Sequence, residues 1–130
     1  MERVQDDFHG IVLNLSQKSR RVLSELDVLG RRKSLFGLLT LYKVRVPGDR
    51  LEDTIVRVQQ NMARRIVFFP QEFYAHFYRA NELIVVFRDD VYRVTTDRSS
   101  WGDALDHGRA LGISEKQLDF SPCRFEDETY

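Results

Sequence analysis

Between Glu82 and Thr95 the chain reads Glu-Leu-Ile-Val-Val-Phe, then Arg-Asp-Asp, then Val-Tyr-Arg-Val-Thr. Two β-branched apolar runs joined by a short polar connection predict a β-hairpin, Glu82–Phe87 with Val91–Thr95. A helix is expected directly after it. Ser99 or Ser100 can cap that helix through its hydroxyl, and Asp103, three residues beyond Ser100, suits the positive end of the helix dipole. Trp101, Ala104, Leu105, Gly108 and Leu111 fall at spacings of three and four and form its apolar face. Gly112 supplies a left-handed stop. Ser114-Glu115-Lys116-Gln117 then reads as a second capping box, opening a turn that Pro122 ends soon after Phe120.

Upstream, Phe8, Ile11, Val12, Leu15, Val22, Leu23, Leu26 and Leu29 recur at helical spacing, which predicts one long amphipathic helix over 4–29, with Gly10 a weak point and Gly30 the stop. Phe8, Leu15, Val22 and Leu29 are seven apart. They form the expected interface of a helix-paired homo-oligomer, although Ser19 interrupts the companion row. After a basic turn at Arg31-Arg32-Lys33, Leu35–Val46 alternates with Phe36, Leu38, Thr40, Tyr42, Val44 and Val46 on one side, predicting a strand; a helical reading also fits before Leu39. Pro47-Gly48 ends it. Asp49-Arg50-Leu51-Glu52 reads as a capping box for a helix over 50–64 that buries Leu51, Ile55, Val58 and Met62. Ile66–Phe69 is a short apolar run stopped by Pro70. Phe73–Arg79 fits strand or helix, and its aromatic density favours strand.

The fold class expected from this order is α+β. One globular domain spans 1–130, with an antiparallel or mixed meander sheet covered by about three α-helices, the long N-terminal helix among them and the sheet and other helices in 35–125. The arrangement is similar to a split βαβ unit lacking its last strand.

Net charge is zero, but residues 1–65 hold 13 Lys and Arg against 8 Asp and Glu, while residues 66–130 hold 7 against 12. The halves, +5 and −5, are expected to interleave in the fold; the alternatives are a basic face for a polyanion and complementary patches within or between subunits. No stretch of about 18 apolar residues predicts a membrane span, no leader pattern is expected at the start, and the single Cys123 forms no internal disulfide. The expected location is the cytoplasm.

Reactive constellations are sparse. His9, His76 and His107 have no second His or Cys at metal-ligand spacing, so neither metal nor cofactor is expected. His107, four residues after Asp103, reads as one half of a surface pair. If Phe73–Arg79 is a strand, Tyr74, His76 and Tyr78 share one face, opposite Phe73, Ala75 and Phe77; this strip is the candidate ligand-binding surface, able to stack on a base, a sugar or another aromatic group. Cys123 precedes the acidic run Glu126-Asp127-Glu128, which blunts a thiol as a nucleophile. No phosphate-cradling glycine loop, nucleophile elbow or zinc-protease motif occurs.

The stretch from Ala104 to Leu118 resembles the helix-turn-helix of bacterial transcription regulators, with a small residue at Gly108, the turn glycine at Gly112, then Ile113, a capping Ser114 and Leu118. The resemblance implies a second helix in the major groove, with Glu115, Lys116 and Asp119 pointing outward. Pro122, however, shortens that helix, and Asp103, Asp106 and the acidic tail set negative charge where phosphates would lie. A basic patch from Arg20-Arg21, Arg31-Arg32-Lys33 and Arg64-Arg65 is a separate nucleic-acid reading. The function expected is a binding or self-assembly module without catalytic activity, its partner a second copy or another protein. The alternatives are a nucleic-acid-binding regulator and a small-molecule-binding protein or enzyme using Tyr74, His76 and Tyr78.

Overall fold

The apolar run near the start of the chain is a strand. In the computed structural model, which describes residues 7–13, 26–34, 39–62, 74–113 and 118, Phe8–Leu13 forms β1, paired antiparallel on both of its sides. Phe8 and Val12 are buried on one face, with Gly10 between them, while His9 and Ile11 occupy the other. Asp27–Ser34 is a second strand, β2, with a bulge between Val28 and Gly30. These two strands overturn the helix expected over 4–29. The run Ile11-Val12-Leu13 is apolar at consecutive positions, so the sequence satisfies a helical template as well as an extended one. The bulge breaks the alternation of β2 as well.

The remaining elements are β3 (Leu39–Val46), α1 (Leu51–Gln60), β4 (Ala75–Arg79), β5 (Glu82–Val86), β6 (Val91–Thr95) and α2 (Gly102–Ala110). They build a six-stranded sheet in the order β2-β3-β1-β4-β5-β6, antiparallel at every pairing. Two α-helices, of 10 and 9 residues, are present among the described residues, in place of the expected three-helix cover. β3 and β4 run parallel to each other with β1 between them, and α1 lies in the connection from β3 to β4; the added strand is the first of the chain, not the last one that the split βαβ expectation lacked.

Each face of the sheet has its own core. Leu51, Ile55, Val58 and Met62, the helix face expected from the sequence, pack with Phe8, Val12, Val44, Val46, Ala75, Phe77, Ile84 and Val86. On the opposite face Trp101, Ala104, Ile113 and Leu118 pack with Tyr78, Leu83, Val85 and Phe87. α1 begins without the expected capping box, because Pro47 and Gly48 lead into a 3-10 turn whose carbonyls accept from the N–H groups of Arg50 and Leu51. α2 likewise starts from a 3-10 turn, capped by Asp97, whose Oδ1 accepts from the Ser99 N–H at 3.0 Å. Ser100 is not the cap; its hydroxyl donates to the Asp97 carbonyl at 2.7 Å. α2 stops at Gly112, with φ 87°, where the N–H groups of Ile113 and Gly112 return to the carbonyls of Gly108 and Arg109 at 3.0 Å each.

The strand order also places β1–β3 in one half of the sheet and β4–β6 in the other. The strands of the basic and acidic halves of the sequence therefore lie side by side and do not interleave. Leu15, Val22, the Phe36 and Leu38 positions, the Ile66–Phe69 run, Phe73, the box at 114–117 and Cys123 lie outside the described residues.

A side chain at residue 10 has no room. A Cβ there would stand 2.3 Å from Phe77 Cδ1 and 2.8 Å from the backbone oxygen of His76. Gly10→Ala is expected to lower stability by roughly 1–3 kcal/mol, the range for overpacking a tight core. Urea unfolding checks this, and Phe77→Leu in the same chain should recover part of the loss; an unchanged midpoint in Gly10→Ala would contradict the packing.

Candidate functional site

β4 places the strip expected from the sequence on one face, as alternation requires, but that face is covered. Tyr78 is 3% exposed and His76 7%, while Tyr74 is half-buried. The His76 ring stacks on Tyr78 at 6.1 Å and lies 6.0 Å from Tyr74. His9 on β1 meets Tyr78 edge-on at 6.4 Å, and Tyr74 meets Phe87 at 5.9 Å. Phe87 in turn lies 4.5 Å from the His107 ring. The three histidines, far apart in sequence, thus belong to one chain of aromatic contacts across a single sheet face. Among the described residues no group of His, Cys, Asp or Glu is arranged to hold a metal ion.

Lys43 was missed by sequence reasoning. It is 2% exposed and lies on the same face, in register with Ile11, which is in register with His76 on its other side. Its place in the alternation opposite Tyr42 and Val44 was legible, but a lysine there reads as a solvated residue.

His107 does not pair with Asp103. Its Nε2 lies 2.9 Å from Asp89 Oδ1 and its Nδ1 3.0 Å from the Tyr92 hydroxyl. A carboxylate only accepts, so Nε2 carries the proton, and in the neutral ring Nδ1 accepts from the Tyr92 O–H. The Asp-His half has the geometry of a base held by its orienting acid. Burial, then the charge of Asp90 and a hydrogen bond to its carboxylate, then the charges of Asp103 and Asp89, hold the Tyr92 hydroxyl above the ordinary value of 10.0, which works against its ionisation as a nucleophile. Chemically the trio is a hydrogen-bonded tie from α2 to the β5–β6 hairpin.

Two open concavities remain. One, of about 410 Å³, has Phe8, Leu51 and Ile84 among its lining, with Arg79 and Arg93 beside it. Those arginines already hold Glu82 and Glu52 at 2.8 and 2.7 Å. The other, of about 440 Å³, runs between α1 and the ends of β2 and β3, lined by Asp27, Arg45, Arg50, Val56 and Arg57 among others. Val56, 48% exposed, is on its wall; Val28 and Leu29, 38% and 44% exposed, are the other large apolar side chains that the described residues expose, and follow the groove residue Asp27 along β2. Leu29 stands at the bulge. Of the expected helix-pairing interface, Phe8 is in the α1 core and Leu29 is exposed on another strand. No family model, curated protein or solved structure matches the chain.

The Tyr92 tie carries a pH signature. A phenol whose folded-state pKa is raised adds stability that is fully present below pH 10.0 and is lost as pH climbs through the folded value. Tyr92→Phe is expected to cost roughly 0.5–1.5 kcal/mol at neutral pH, the worth of one hydrogen bond. The difference between wild type and variant should shrink above pH 10, as read by urea unfolding at both pH values; a constant difference would contradict it.

Proposed function

We propose that the chain acts by binding another protein, and that its contact surface is the groove between α1 and the β2–β3 ends. The observation that carries this reading is Val56, exposed on the wall of a groove that Arg45, Arg50 and Arg57 line together with Asp27 and Asp53. An exposed apolar side chain in a concavity lined by arginines has the composition of a contact surface, in which a few apolar and arginine anchors provide most of the affinity. Arg45 is steadied there by Asp27 at 2.7 Å and Asp7 at 3.5 Å, which presents its guanidinium in a defined position. The covered strip at Tyr74, His76 and Tyr78 offers no comparable opening.

Selection of displayed peptides on the immobilised protein tests the proposal. Val56→Asp should weaken the selected binders by about tenfold or more, an anchor-sized loss. Asp103→Lys, on the exposed side of α2, should leave them unchanged. Binders indifferent to Val56→Asp, or no binders at all, would overturn the reading.

A further inference from the structure

The concavity of about 410 Å³ lies where the α1 face of the sheet turns from apolar to charged. Phe77 and Ile84 belong to the core on that face. Arg93 stands in register with Ile84, while Arg79 and Glu82, in register with each other, are two residues from Phe77 and from Ile84, so alternation puts all three on the same face. With Asp49 and Glu52, from the turn and helix facing them, they are the charged lining of the cavity.

Four of these five charges form two ion pairs. Arg79 donates from Nε and Nη2 to Glu82 Oε2 at 3.1 and 2.8 Å, and its guanidinium lies 4.2 Å from the centre of the Phe8 ring. Arg93 Nη2 donates to Glu52 Oε1 at 2.7 Å and ties β6 to α1. Glu82 is in register with Thr95, so Glu82 and Arg93 are diagonal neighbours on the β5–β6 ladder, about 7–8 Å apart at the backbone. Each is engaged elsewhere. Among the described residues, Glu82 Oε1 and the Nε and Nη1 groups of Arg93 take no part in either ion pair. The turn between Arg79 and Glu82 is strained as well: Ala80 has φ 50°, a conformation that glycine adopts more readily than a residue with a side chain. Strain of this kind persists where the surroundings hold it, and it gathers at ligand sites.

The signs of the charges narrow the ligand. A simple anion would meet three carboxylates and a simple organic cation two guanidiniums, each a repulsive element. The carboxylates are not arranged to hold a metal ion. A molecule with an ammonium and a carboxylate a few bonds apart meets neither penalty: its ammonium donates to Glu82, its carboxylate accepts from Arg93, and the two ion pairs become one network of alternating sign.

We propose that this cavity binds a free α-amino acid through those two groups, with Phe8, Leu51 and Ile84 lining the place of its side chain. The site is separate from the contact surface assigned above.

NMR titration of the isotope-labelled protein with each of the standard L-amino acids, up to about 10 mM, tests the proposal. Amide resonances of Gly48–Glu52 and Arg79–Ile84 should move with at least one of them. The amide of that amino acid, which keeps only the ammonium, and its deaminated acid, which keeps only the carboxylate, should each bind about tenfold more weakly or worse. Glu82→Gln and Arg93→Gln should each weaken the amino acid by about the same factor, with the unchanged remainder of the spectrum reporting an intact fold. Val56→Asp should leave binding as it is. No movement with any amino acid, equal binding of the amide or the deaminated acid, or binding that survives both Glu82→Gln and Arg93→Gln would overturn the proposal. Loss of binding in Val56→Asp would assign the ligand to the other groove and overturn it too.

Discussion

Residue 10 must be glycine because the Phe77 ring occupies the place of its side chain, and the rest of the architecture depends on that contact. β1 is the only element that touches both β3 and β4 in the sheet. Take it away and the β2–β3 hairpin and the β4–β5–β6 meander become two separate sheets, each with a new edge. Phe77, fully buried, fills the α1-side core where the two halves meet, and its ring takes the space that a side chain at Gly10 would need.

From this join follows an uneven division of labour between the two ends. At the β6 end, α2 seats Leu118 against Gly108, where a Cβ would come within 2.5 Å of the leucine, and its 3-10 lead-in caps the strand edge. The His107 tie to Asp89 and Tyr92 fastens the same helix to the hairpin turn. That end is closed, and its polar groups are occupied with one another. At the β2 end lie a groove beside α1 and the exposed Val28, Leu29 and Val56. The groove at that end, with Val56 exposed on its wall, is the feature from which the proposed function is drawn.

The sequence was legible where local chemistry and burial agree. The β5–β6 hairpin, the face of α1 made by Leu51, Ile55, Val58 and Met62, and the Gly112 stop each rest on short-range patterns with one physical meaning. β1 was misread because the half-buried Ile11 stands beside the buried Val12, which blurs the alternation that identifies a strand, and its glycine counted as a helix weakness when it was a packing requirement. β2 was misread because a bulge and three consecutive cations resemble a turn. The Tyr74, His76 and Tyr78 face was read correctly as a shared face, whereas its cover comes from α2 and its neighbours, distant in sequence. The Asp89–His107 pair and the buried Lys43 also depend on strand order and register, which no local window contains.

Native-state amide hydrogen exchange at Gly10 and Val12 tests the central position of β1 most directly. A strand paired on both sides opens only when the sheet itself does, so these amides should exchange with the slowest group, alongside those of Phe77 and Val85. Exchange as fast as in a frayed end or a solvated helix would contradict the insertion of β1 between β3 and β4, and the two-sided sheet with it.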